Sequence, residues 1–82
     1  MSKPTSPEVL VGEGPVCLDL HADGVAHLRL ARPEAANGLN VELLRALHEA
    51  VLRIHGEGRV RAVLLTGEGQ HFCAGGDVHT FL

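Results

Sequence analysis

Two short stretches of the chain alternate apolar and polar residues. Val16-Cys17-Leu18-Asp19-Leu20 puts Val16, Leu18 and Leu20 on one face, and residues 25–31 put Ala26, Leu28 and Leu30 inward with His27 and Arg29 outward. Ala22-Asp23-Gly24 separates them, and Asp-Gly between alternating runs signals a hairpin. The pattern predicts an antiparallel pair with one face toward water.

Arg32-Pro33 ends the second strand, because proline offers no ladder donor and holds its predecessor extended. A loop follows through Glu34-Ala35-Ala36-Asn37-Gly38. The period then changes: Leu44, Leu47, Val51 and Ile54 recur at helical spacing, and Leu43 and Ala50 widen the stripe. Asn40 suits the N-cap, Glu42 the positive first turn, and Gly56 the left-handed residue beyond the last turn. These signals predict a helix over 41–55.

Val60 to Thr66 is of another kind. Ala62-Val63-Leu64-Leu65 is continuously apolar, which fits a parallel strand covered on both faces, expected over 61–66. With the strand at 25–31 and the helix it makes a βαβ unit. Residues 1–8, rich in proline and hydroxyl side chains, read as a disordered tail ahead of a folded part at 9–82. Asp77 is expected to cap a new helix, of which five residues are too few to stand alone. At most three strands and a single covering helix make this an incomplete α/β unit, which calls for more of the chain or another chain.

Composition narrows the setting. Hydrophobic residues are 45% and charged ones 21%, as in soluble globular sequences, and two Phe with no Tyr or Trp leave an aliphatic core. A domain of this size buries only about 60% of its unfolded surface and usually needs support. The net charge of −3, with signs interleaved, argues against a nucleic-acid partner. There is no signal-like start and no apolar run near the roughly 18 residues of a membrane span, so no membrane partner and a cytoplasmic location are expected. Cys17 and Cys73 read as reduced thiols. The six histidines lack metal-ligand spacing, so no metal is expected.

The remaining candidate chemistry lies in Phe72-Cys73-Ala74-Gly75-Gly76-Asp77. Ligands of open α/β sheets favour the carboxyl ends of parallel strands, where this stretch and the loop 32–38 both belong. Ala74-Gly75-Gly76 removes side chains, so backbone N–H groups can approach an oxygen that gains charge. The stretch is neither GxGxxG nor a P-loop. Composition alone leaves a ligand turn and a purely structural turn both open. Cys73 as nucleophile lacks a third group, Asp77 fits a helix cap better than an acid or base, and Glu68 has no assigned direction.

Three segments, Leu30 to Asn40, Val60 to Gly67 and Phe72 to Asp77, together resemble the crotonase (enoyl-CoA hydratase/isomerase) superfamily in order and spacing. The likeness covers residues 15–82. It implies an α/β fold, the N-terminal portion of a crotonase-like ββα spiral, here hairpin, helix and parallel strand. It also implies an acyl-CoA thioester as substrate, no separate cofactor, and a homo-trimer or hexamer for the complete protein. By position, Gly76 supplies one of two backbone oxyanion donors. Glu34, Ala35, Ala36, Ala74, Gly75, Gly76 and Asp77 line the substrate. A basic residue is common in the family where this chain has Glu34. The second donor and the catalytic carboxylates lie farther along in family members. The expectation is therefore a fragment of a 2-enoyl-CoA hydrating or double-bond-isomerising enzyme, inactive alone. The alternative is a non-catalytic module that pairs with a complementary chain.

Overall fold

The two alternating runs pair as expected. β2 (Val16–Leu20) and β3 (Val25–Leu30) are antiparallel, with Leu18 opposite Leu28 and Leu20 opposite Ala26. The computed structural model describes residues 6–76. At the turn, the Gly24 N–H donates to the His21 carbonyl at 3.0 Å and the Asp23 carboxylate accepts the Val25 N–H at 3.2 Å.

A further strand precedes the pair. β1 (Glu8–Val11) is antiparallel to β2, with an irregularity between Val9 and Val11. Glu8, counted with the tail from composition, opens this strand.

The helix α1 (Val41–His55) has the predicted bounds, and the Asn40 side chain accepts the Leu43 N–H at 2.8 Å, satisfying one orphan donor of the first turn. Two details differ from expectation. Gly56 is right-handed (φ −82°), because the Gly56 and Glu57 N–H groups close the last turn onto the Leu52 and Ile54 carbonyls. The buried stripe is also rotated from the expected one. Leu43 and Ala50 are fully buried and Ala46, Leu47 and Ile54 partly so, while Leu44 and Val51 are exposed. Ala50, with no bulk beyond Cβ, sets the close approach of α1 to the sheet.

β4 (Ala62–Gly67) is parallel to β3, from Val25 opposite Ala62 to Leu30 opposite Gly67, and the sheet order is β1-β2-β3-β4. The core joins Val16, Leu18, Ala26, Leu28 and Leu30 of the sheet to Leu43 and Ala50 of the helix. α1 lies over β2 and β3. The expected cover on both faces of β4 is therefore missing: Val63, Leu64 and Leu65 are exposed on an edge strand.

The opposite face of β2 and β3 is only half wet. Cys17 is buried there, Arg29 pairs with Asp19 at 3.6 Å and Glu68 at 3.0 Å, and His27 Nε2 meets Thr66 Oγ1 at 2.6 Å. Both cysteines are free thiols.

Candidate functional site

Parallel pairing brings the carboxyl ends of β3 and β4 to one edge of the sheet, and the two loops that leave them meet there. The first starts with a single 3₁₀ turn at Pro33–Ala35, with proline at the position where a missing N–H does no harm. Glu34 is exposed on this turn. Ala36 and Asn37 then both take left-handed backbone, at φ 51° and 56°. That reverses the chain toward α1. Only asparagine among these two tolerates such geometry readily, and Ala36 carries a strain of about 1–2 kcal/mol.

The second loop is set by close approach. A Cβ on Gly67 would collide with the Phe72 carbonyl and fall 2.8 Å from Asn37 Nδ2, so a side chain here is excluded by backbone. Farther on, Gly75 takes φ 87°, a conformation costly for any residue with a Cβ, and its N–H donates to Cys73 Sγ at 3.4 Å.

The two loops are bonded to each other. Ala74 N–H donates to the Ala36 carbonyl at 2.9 Å and Leu39 N–H to the Gly75 carbonyl at 2.8 Å, and Leu39 and Gly76 form a parallel bridge. Thus Ala36 stands beside Ala74, and Leu39 beside Gly75 and Gly76. Among the described residues the Gly76 N–H donates to no acceptor, and Gly76 is exposed. It lies on a turn whose neighbours Ala74 and Gly75 are bonded to the first loop. Asp77 and the helix expected after it lie outside the described residues.

Other candidates find places away from chemistry. Glu68, undirected in the sequence, holds Arg29. No imidazole is bonded to Cys73 among the described residues. His48 and His55 are exposed on α1, and no group of three metal-capable side chains occurs among the described residues.

One residue of the site was missed. Asn37, read only as part of a loop, is fully buried and connects both loops. Its Oδ1 accepts the Arg32 N–H at 2.8 Å, and its Nδ2 donates to the Glu68 carbonyl at 2.9 Å and the His71 carbonyl at 2.7 Å. The available signal was an asparagine at a turn, the residue that best tolerates left-handed backbone after glycine.

The chain is similar to known proteins in sequence and in fold. The family described as enoyl-CoA hydratase/isomerase matches residues 21–82. A probable enoyl-CoA hydratase of Mycobacterium bovis is 46% identical over 57 residues, 70% of this chain and 23% of that protein. A 4-chlorobenzoyl coenzyme A dehalogenase of an Arthrobacter species is 43% identical over 58 residues, 71% of this chain and 21% of that protein. Among solved structures, an enoyl-CoA hydratase of Mycobacterium smegmatis superposes with a TM-score of 0.77 at 40% identity, over 82% of this chain and 26% of that one. The chain spans about a quarter of the length of these relatives.

Proposed function

The chain belongs to the enoyl-CoA hydratase/isomerase (crotonase) family, and on that premise we propose that it is part of an acyl-CoA-processing enzyme that works through a thioester enolate. The observation that carries the reading is the Gly76 N–H, which meets no acceptor among the described residues and sits on a turn bonded to Ala36 through Ala74. In this reading the thioester carbonyl oxygen accepts from Gly76. The donor precedes the charge, so its bond strengthens as water adds at C3, or a proton leaves C4, and the oxygen becomes an enolate oxygen.

Relatives of similar identity carry out different chemistry by name, a hydratase and a dehalogenase, and both names specify a coenzyme A compound. The stretch they share with this chain therefore serves what their substrates share, the CoA thioester. Glu34, Ala35, Ala36, Ala74, Gly75 and Asp77 are its lining in this proposal, with contact mainly through backbone. Hydration of a 2-enoyl-CoA, or a shift of its double bond, is the reaction proposed. Both move protons and water without net electron transfer, so neither needs a redox cofactor. In this reading the chain supplies one donor of a pair, and catalysis needs further groups. A trimeric or hexameric cytoplasmic enzyme is the complete form in this proposal. Among the described residues no helix is long and apolar enough to cross a membrane.

Titration calorimetry with acetyl-CoA tests the site. The chain and Gly76→Ala, which keeps the N–H, should bind, and Gly76→Pro, which lacks it, should bind roughly tenfold more weakly or worse. Equal affinity of all three, or no affinity in the folded chain, overturns the assignment. Turnover of a 2-enoyl-CoA by the pure 82-residue chain would overturn the half-site reading.

The exposed edge of β4 favours a second reading, in which the chain is a non-catalytic module that pairs with a complementary chain of the same family. Light scattering after size exclusion separates the two. A defined complex with a longer crotonase chain supports pairing, and a stable monomer in its presence counts against it.

A further inference from the structure

Asn37 stands out among the described residues as a polar side chain with no exposure at all, in a core otherwise made of aliphatic groups. A buried amide is tolerated only when its donors and acceptor are used, and here each is used on backbone. The distribution of those bonds is the informative part. The oxygen holds the N–H of Arg32, which opens the 33–36 turn; the nitrogen holds the carbonyls of Glu68 and His71, which bracket the approach to the glycine turn. One planar group thus spans the gap between the two loops.

Simpler roles do not need this arrangement. Left-handed backbone at φ 56° asks only for glycine or an asparagine free in solvent. Filling the volume asks only for an apolar side chain. Neither explains an oxygen committed to one loop and a nitrogen committed twice to the other. Gly67 adds a second constraint, because its lack of a side chain is what lets Nδ2 reach between Glu68 and His71. The backbone bonds from Ala74 to Ala36 and from Leu39 to Gly75 then lie just beyond this clamp.

We propose that Asn37 is the positioning residue of the site, its carboxamide setting where the Gly76 N–H stands relative to the 34–36 turn. The ligand half of this proposal rests on the acyl-CoA reading above. Asn37 touches no substrate in it. It acts through the two loops, and its removal changes how well the turn meets a thioester oxygen.

The test uses the full chain, labelled with ¹⁵N, and two variants. Asn37→Asp keeps the size, the acceptor and the tolerance of left-handed backbone but turns both donors into a repelling oxygen. Asn37→Gly keeps the backbone geometry and is the milder variant should the first not fold. In both, amide exchange at Ala74 and Leu39 should speed up roughly tenfold or more while the β2–β3 ladder keeps its protection. Added acetyl-CoA should shift the Gly76 amide resonance in the parent chain, and both variants should need roughly tenfold more of it for the same shift. Equal loss of protection in the loops and in the ladder makes Asn37 a merely structural residue and overturns the proposal. Selective loop exchange with no Gly76 response to acetyl-CoA, even in the parent chain, upholds the clamp and overturns the acyl-CoA reading instead.

Discussion

Leu28 and Leu65 are the same residue, opposite each other on neighbouring strands and on the same face of one sheet, yet Leu28 is 4% exposed and Leu65 45%. The contrast extends along both strands. β3 alternates, and its inward residues disappear beneath α1; β4 is continuously apolar, and Val63 and Leu64 remain 48% and 51% exposed. Burial here is decided by place in the sheet and by the reach of the helix, which lies over β2 and β3. Composition records something else, the environment a strand is suited to. β4 has the composition of a central strand and the position of an edge.

The largest expected effect tests that pair directly. Leu28→Ala removes a buried side chain from the core and should cost about 3 kcal/mol, while Leu65→Ala should cost less than about 1 kcal/mol. Urea unfolding of the two variants at low protein concentration measures both. Equal costs would mean that β4 is covered in solution, and the contrast would belong to the isolated chain only.

Next comes the end of β4, where the strand stops being open. Gly67 abuts the Phe72 carbonyl and Asn37, so Gly67→Ala should destabilise by about 1–3 kcal/mol through overpacking, more than Leu65→Ala. A neutral Gly67→Ala would show that the second loop gives way freely, and the site would then not be a fixed one.

A smaller effect sits at the other end of β4. Glu57 receives two side-chain hydrogen bonds and a backbone one from Arg59, which also holds Glu8 of β1. The bonds from Arg59, side chain first, lower the Glu57 carboxyl from 4.5 to about 2. A depressed carboxyl stabilises the fold above its ordinary range and loses that contribution as pH falls through the lowered value. The stability difference between the parent and Glu57→Gln should therefore be constant above about pH 5 and close as pH falls toward 2. A difference that stays constant down the whole range would show that Arg59 does not hold the Glu57 carboxylate in solution.

How much was legible follows the same division between local and distant causes. The hairpin, α1 and its Asn40 cap were readable because alternation, helical spacing and a cap residue act within a few positions. β1 was not, since four residues of mixed character carry too short a pattern. The face of α1 was misjudged because Leu44 and Val51 are as apolar as Leu47, and only the sheet selects between them. In the site, the glycine run was visible and its ambiguity was real. Asn37 was not visible as a clamp, because its donors go to carbonyls 31 and 34 residues away. The assignment of Gly76 came from the order of three segments, which no single segment carries.

The smallest effect on stability bears most on the opening contrast. Leu64 points to the opposite face from Leu65, beside His27, and is half in water. Leu64→Lys removes little buried area, its stem can lie along the sheet, and unfolding free energy should move by no more than about 0.5 kcal/mol. Its effect on association should be large by comparison, because a charged side chain on an apolar edge blocks strand-to-strand pairing. If β4 recruits another chain, light scattering should show the parent forming oligomers that Leu64→Lys does not form, at nearly unchanged stability. If parent and variant are both monomers up to high concentration, an apolar edge can remain open without recruiting anything, and the composition of β4 predicts neither burial nor partner. If Leu64→Lys instead costs as much as Leu28→Ala, the two strands differ less than their exposures say.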